Sequence, residues 1–161
     1  MNRIWAPWRI KYITQKKNKG CIFCNAYRNK KDKENFVIYR SLKCFVLLNI
    51  FPYNNGHLMV VLNRHISSLE KLNDEEILDI NKTIIKMIKV LKKILKPQGI
   101  NIGINIGKIA GAGIENHLHF HIVPRWLGDT NFMPVLSNTK VISQSLRELY
   151  NQIKKCLREE K

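Results

Sequence analysis

One long amphipathic helix, set between two groups of short strands, most constrains how this 161-residue chain can fold. Asn73 can cap the start of the helix, and Glu76, three residues on, completes a capping box. Pro97 and Gly99 follow its end. Between these signals, apolar residues recur at spacings of three and four and form a single stripe: Ile77, Ile80, Ile84, Ile88, Leu91 and Leu95. Such a helix must cover another layer of structure.

Strand-like runs flank this helix. Residues 36–40, 44–49 and 57–62 precede it, and a turn rich in Pro, Asn and Gly separates the last two. Residues 99–107 alternate Ile with Asn or Gly, and residues 117–123 alternate again, before a terminal helix over residues 143–158. The order predicts an α+β domain with a mainly antiparallel sheet. We expect a basic, aromatic arm at residues 1–20, the domain at 21–140, and a C-terminal helix within 141–161 that packs on the same domain.

The charge is strongly positive, with 28 Lys and Arg against 12 Asp and Glu, a net +16. This balance points to a polyanionic partner such as nucleic acid, acidic lipid or a phosphorylated substrate. The alternative is a bias in composition, because Lys, Ile and Asn are abundant throughout. A hydrophobic content of 45% excludes wholesale disorder.

Membrane and export classes do not fit the sequence. No apolar run reaches the roughly 18 residues of a membrane-spanning helix, and the N-terminus lacks the pattern of a signal peptide. Four cysteines are too few for a disulfide scaffold in a chain of this length. We therefore expect a cytoplasmic protein.

The most specific motif places His117, His119 and His121 within five residues. Alternation along a strand puts three imidazoles on one face, with neighbours about 6.7 Å apart. A histidine there can attack phosphorus as a nucleophile, or several can hold a zinc ion that activates water. The spacing alone does not choose between these chemistries.

Cys21 and Cys24 form a Cys-x-x-Cys pair, which supplies half of a four-ligand zinc site. Two histidines would complete it, from among His57, His65 and the three on the strand. A redox pair is the competing interpretation, although the thioredoxin-like strand-to-helix context is missing.

Together these motifs resemble the histidine-triad (HIT) superfamily of nucleotide hydrolases and nucleotidyltransferases. The resemblance covers about residues 20–139 and rests on His117-Leu-His-Phe-His-Ile-Val, Cys21-Ile-Phe-Cys24, Leu48-Asn49 with Pro52-Tyr53, Gly56-His57-Leu-Met-Val, Arg64-His65, Asn105-Ile-Gly and the glycine-rich run 110–113. The flanking segments IWAPWR, VPRWLGDTNFMPV and TKVI resemble the branch that includes diadenosine-tetraphosphate phosphorylases.

The resemblance implies a HIT-like fold and assigns roles to single residues. His119 would attack the α-phosphorus and form a nucleotidyl-histidine, and His121 would hold phosphate oxygens or protonate the leaving group. Asn105 would orient the phosphates, and Asn49 would bond the ribose hydroxyls. Where many members have Gly-Gln-Ser or Gly-Gln-Thr, this chain offers the amides of Gly111 and Gly113, the side chain of Asn116, and Arg125 nearby.

The resemblance also implies a structural zinc ion held by Cys21, Cys24, His65 and His117, with no organic cofactor, and a homodimer that extends the sheet. The expected substrate is a nucleoside polyphosphate such as diadenosine tetraphosphate, cleaved by phosphorolysis or hydrolysis. The alternative is a nucleic-acid-binding module on the same fold with little catalysis.

Overall fold

The computed structural model describes residues 20–129 and 141–159 of the chain. Its elements in chain order are α1 (Ile22–Asn29), β1 (Val37–Arg40), β2 (Cys44–Leu48), β3 (Leu58–Leu62), a short 3-10 helix (Leu69–Lys71), α2 (Asp74–Leu95), β4 (Gly99–Ile104), β5 (His119–Arg125) and α3 (Leu146–Glu159). The predicted N-terminal arm up to residue 19, and the part of the flanking motifs within residues 130–140, lie outside the described residues.

The five strands form one sheet in the order β1-β2-β3-β5-β4, and every neighbouring pair is antiparallel. This confirms the predicted α+β class. Helix α1 was not predicted from the sequence; it is only 8 residues long and begins after Cys21 without a side-chain cap. None of the described helices is both long and apolar enough to cross a membrane.

Helices cover the two faces of the sheet unequally. On one face α2 and α3 enclose the larger core with apolar residues such as Val60 and Ile122. On the other face α1 packs Phe23 and Ala26 against Met59 and other strand residues. Val61, two residues after Met59 on β3, lies on the same face. Residues paired across neighbouring strands share a face, so His121 and His119 of β5, which pair with Met59 and Val61, also face α1.

The long helix begins as its capping box predicts. The Asn73 side chain accepts from the Glu76 backbone N–H at 2.9 Å, and the Glu76 carboxylate accepts from the Asn73 N–H at 3.1 Å. The same carboxylate accepts two hydrogen bonds from Arg64, which lower the pKa of Glu76. The start of α2 is thereby tied to the segment that follows β3.

Gly56 allows the β2–β3 connection to return close to α2. Its φ is +79°, and a Cβ there would lie 2.6 Å from Leu95 Cδ1 and 2.8 Å from Pro124 Cγ. Only glycine fits both the left-handed backbone and this close approach. The turn sets the position of His57, which immediately precedes β3.

Candidate active site and metal centre

Strand β5 presents His119 and His121 on the face covered by α1. They pair with Val61 and Met59 of β3, and their exposed fractions are 5% and 8%. The prediction that all three histidines lie on the strand is wrong for His117, since β5 begins only at His119. The cause is local: the chain leaves the sheet at Leu118, whose backbone N–H donates to a loop carbonyl rather than to the strand ladder.

The hydrogen bond of His119 leaves one of its ring nitrogens free to act as a nucleophile. His119 Nδ1 lies 2.8 Å from the carbonyl oxygen of His117. A carbonyl only accepts, so Nδ1 carries the proton and, in the neutral ring, Nε2 holds the lone pair. Burial lowers the pKa of His119, which favours that neutral form.

A chain of hydrogen bonds also orders the protons of His57 and His121. The backbone N–H of Tyr53 donates to His57 Nδ1 at 3.0 Å, and the Asn49 side-chain amide lies 3.3 Å from the same nitrogen. His57 Nε2 therefore carries a proton and donates to His121 Nδ1 at 2.8 Å. In a neutral His121 the remaining proton is on Nε2.

His121 Nε2 is buried and has no hydrogen-bond partner among the described residues. Burial above all, together with the neighbouring imidazoles, lowers the pKa of both His57 and His121 to about 4. Both rings are therefore neutral at pH 7. An N–H donor left unpaired in this way costs free energy unless an acceptor arrives, and a phosphate oxygen is such an acceptor.

A cleft of about 400 Å³ opens beside His121. Among the described residues, Arg125 is the only cation that lines it, and no carboxylate does. Arg125 donates to Asp129 at 2.7 Å and to Asn101 Oδ1 at 3.0 Å. The lining is Tyr53, Asn54, Asn101, Ile102, Gly103, Asn105, His121, Val123 and Arg125. Its polar groups and its size fit part of a phosphorylated ligand.

The structure brings together only some of the residues predicted to bind substrate. Asn105, His121 and Arg125 line the cleft. His119 is not among the lining residues, but the centre of its ring lies 5.0 Å from that of His121. Asn105 also approaches the carbonyl of Gly111 at 3.5 Å.

The remaining predicted residues lie outside the cleft lining. Gly111, Gly113 and Asn116 are exposed in the β4–β5 connection. Asn49 lies beside His57, and its side-chain oxygen accepts from the Phe51 N–H at 2.9 Å. Its assignment to the ribose, like the roles of the loop residues, stays a prediction.

The place of His57 in this network was not predicted from the sequence, where His57 was a candidate metal ligand only. The alternation of side chains along β3 provides a signal, because it places Met59 and His57, the residue just before the strand, on one face. Using that signal requires the pairing of Met59 with His121. That pairing joins strands far apart in sequence. It cannot be deduced from the motif that contains His57 or from the motif that contains His121.

A second cluster lies where α1 meets the start of β5. It consists of Cys21, Cys24, His65 and His117, whose ligand atoms all lie within 4.8 Å of one another. His117 Nδ1 lies 3.2 Å from Cys21 Sγ, 3.6 Å from Cys24 Sγ and 3.2 Å from His65 Nδ1. Nitrogen and sulfur ligands around one tetrahedral zinc ion are separated by roughly 3.3–3.8 Å, so the donor set fits a metal ion.

Hydrogen bonding outside the cluster orients its ligands. His117 Nε2 donates to the carbonyl of Leu62 at 2.9 Å, which leaves Nδ1 free to coordinate. Arg64, held by Glu76, fixes the backbone next to His65. The four residues that the resemblance assigned to the metal are thus brought together, and this cluster could hold a metal ion.

Comparison with known proteins connects this geometry to a family. A family model described as the HIT domain matches residues 30–126. An AP-4-A phosphorylase of Mycobacterium tuberculosis is 38% identical over 156 residues, which cover 92% of this chain and 80% of the relative. An adenosine 5'-monophosphoramidase of Candida albicans is 29% identical over 110 residues, covering 66% of this chain and 70% of the relative.

Among solved structures, a zinc-bound histidine triad family protein from Mycobacterium smegmatis has the same fold. Its TM-score is 0.70 at 23% identity, and the match covers 88% of this chain and 95% of that one.

Proposed function

The chain belongs to the HIT domain family of nucleotide-processing enzymes, and we propose that it cleaves dinucleoside polyphosphates by nucleotidyl transfer through His119. The observation that carries the proposal is the hydrogen bond from His119 Nδ1 to the His117 carbonyl. It leaves the Nε2 lone pair on the nitrogen that must attack.

In the first step His119 Nε2 attacks an α-phosphorus, so that an N–P bond forms while the P–O bond to the rest of the polyphosphate breaks. The electron pair goes to the leaving oxygen. His121 Nε2–H donates to the oxygen on which this charge develops, since it has no partner among the described residues. His57 acts through His121, because it fixes which nitrogen carries that proton.

In the second step an acceptor oxygen attacks the same phosphorus, the N–P bond breaks, and His119 is regenerated. We propose inorganic phosphate as the acceptor. The 38% identical relative is named an AP-4-A phosphorylase, and Arg125 lines the cleft beside His121. With diadenosine tetraphosphate, ATP leaves in the first step and ADP forms in the second.

The test is turnover of diadenosine tetraphosphate with and without inorganic phosphate. ADP and ATP in equal amounts, formed only when phosphate is present, support phosphorolysis; AMP formed without phosphate would assign hydrolysis instead. A failure to cleave any dinucleoside polyphosphate would overturn the proposal and favour the alternative of a binding module with little catalysis.

We further propose that the cluster of Cys21, Cys24, His65 and His117 holds a structural zinc ion. Four protein ligands close the coordination sphere, so zinc here stabilises the fold and leaves no position for water or substrate. It would join the first turn of α1 to the segment before β5. The two nearby histidines favour this assignment over a redox pair of Cys21 and Cys24.

We also propose that the protein forms a homodimer through strand β4. It lies at the edge of the sheet, and its outer edge has no partner strand in the described part of the chain. Ile102 is 50% exposed although it points to the face that α2 covers elsewhere. An unpaired edge with exposed apolar residues is suited to pairing with a second copy, which light scattering would detect as twice the monomer mass.

A further inference from the structure

Four basic side chains line a second cleft, on α3. This cleft of about 330 Å³ is lined by Lys33, Tyr150, Asn151, Lys154, Lys155 and Arg158. It belongs to the face of the sheet covered by α2 and α3, whereas the histidines belong to the face covered by α1. The cleft is therefore separate from the active site.

The four cations of this cleft are not neutralised by any acidic group of the described residues 20–129 and 141–159. Lys33, Lys154, Lys155 and Arg158 make no ion pair with any described residue. Three described acidic residues close to them in sequence are paired with other cations: Asp32 with Arg40, Glu34 with Lys31, and Glu159 with Lys93. Four unpaired cations around one concavity create a strongly positive local potential.

Hydrogen-bonding groups accompany the charge. Tyr150 lines the cleft and is only 7% exposed, yet its hydroxyl makes no hydrogen bond within the described residues. Burial raises the pKa of Tyr150, so the hydroxyl remains a donor at neutral pH. Asn151 adds a side-chain amide that can donate.

The cleft is also held in shape by contacts outside it. Arg147, one turn before Tyr150, donates to the backbone carbonyl of Lys33 at 2.9 Å, and its guanidinium lies 5.1 Å from the ring of Phe36. Lys154 donates to the carbonyl of Ile38 at 3.3 Å. The loop that carries Lys33 is thus fixed against α3, which reduces the entropy lost on binding.

We propose that this cleft binds the phosphodiester backbone of a nucleic-acid strand. Several separate cations suit a ligand with repeated phosphates, as in the basic grooves that track single strands. A free nucleotide would need a stacking surface for its base, and the one aromatic ring of the cleft is buried. A membrane surface fits less well, because none of the large apolar residues of α3 is exposed for insertion into lipid.

The experiment measures the fluorescence anisotropy of a labelled 12-nucleotide single strand from 50 to 300 mM salt. The test variant is Lys33→Gln/Lys155→Gln/Arg158→Gln, which changes three exposed side chains. The matched control is Lys82→Gln/Lys89→Gln/Lys92→Gln on α2, which removes the same charge elsewhere. Circular dichroism spectra and thermal melts verify that both variants are folded.

We expect the test variant to bind about tenfold more weakly or worse at low salt, and its slope of log affinity against log salt to be shallower by about 2. The control should keep the wild-type slope. The single reversal Lys155→Glu should weaken binding several-fold on its own, which covers the case in which the triple variant does not fold.

Equal weakening by the two triple variants would overturn the proposal, because net charge alone would then explain the binding. So would a wild-type protein that binds no strand at 50 mM salt, including one that instead binds vesicles containing phosphatidylserine. None of these outcomes depends on whether dinucleoside polyphosphates are the substrate of the histidine site.

Discussion

His57 Nε2 and His121 Nδ1 lie 2.8 Å apart, and this contact determines which nitrogen of His121 carries the proton. The direction is set by backbone, because the Tyr53 N–H can only donate to His57 Nδ1. The Tyr53 peptide group in the β2–β3 connection thus fixes, through His57, the proton of His121 that we expect to bind a phosphate oxygen. It makes His57 a positioning residue.

Replacing His57 by Phe should lower kcat about ten- to a hundredfold and leave KM nearly unchanged. Phe fills the space of the ring but cannot donate to His121, so both nitrogens of His121 compete for its proton. His57→Gln, whose amide can still donate, should recover part of the loss. Steady-state kinetics of both variants provide the check, and a His57→Phe enzyme with wild-type kcat would remove His57 from the account.

Replacing Gly103 by Val should block the cleft without weakening the fold. Gly103 pairs with His121, lines the cleft, and has no atom within 4 Å of an added Cβ. Valine also suits a strand better than glycine does. We expect KM to rise about tenfold or more with an unchanged or higher Tm.

The matched control for Gly103→Val is Ile100→Val, which lies on the other face of β4 and is not among the lining residues of the cleft, and it should leave KM as it is. If Gly103→Val bound substrate normally, the substrate would not occupy this cleft.

Zinc analysis should separate the two histidine sites. We expect about one zinc ion per chain in the wild type, a loss of zinc in Cys24→Ser together with a lower Tm, and full zinc in His119→Ala. Cys44→Ser is a control for the thiol change, since Cys44 is buried in the core away from the cluster. Zinc lost from His119→Ala would mean that the metal is held by the catalytic histidines instead.

Protonation of His57 and His121 should destabilise the fold at acidic pH. Their pKa values are about 4 in the folded protein against about 6.5 in an unfolded chain. Between those values the unfolded state binds more protons, so the free energy of unfolding falls as the pH is lowered from 6.5 to 4 and stops falling below.

Urea unfolding over this range should therefore show a shallower pH dependence for His57→Gln/His121→Gln than for the wild type. Equal slopes would mean that these rings are not buried in the neutral form.

Local signals in the sequence predicted much of this fold. The capping box at Asn73 and Glu76 and the alternating Ile of β4 are confirmed, because each depends on neighbours in sequence. The short helix α1 was missed, since it is stabilised by burying Phe23 in the sheet rather than by a cap.

Residues of the site were harder to place where long-range pairing decides their surroundings. The resemblance gave the four metal-cluster residues because they recur as a motif. The contact between His57 and His121 depends on the register between β3 and β5, and the unpaired cations of α3 depend on which acidic residues other cations already hold. Neither can be read from spacing.

The most direct test of the central claim is to locate the covalent intermediate. Diadenosine tetraphosphate is mixed with the enzyme in the absence of phosphate, the reaction is quenched at alkaline pH to preserve the phosphoramidate, and the tryptic peptide 109–125 is analysed by mass spectrometry. We predict one adenylyl group on His119, and no adduct together with a loss of about a thousandfold or more in kcat for His119→Ala. An adduct on another residue, or wild-type turnover by His119→Ala, would contradict the account.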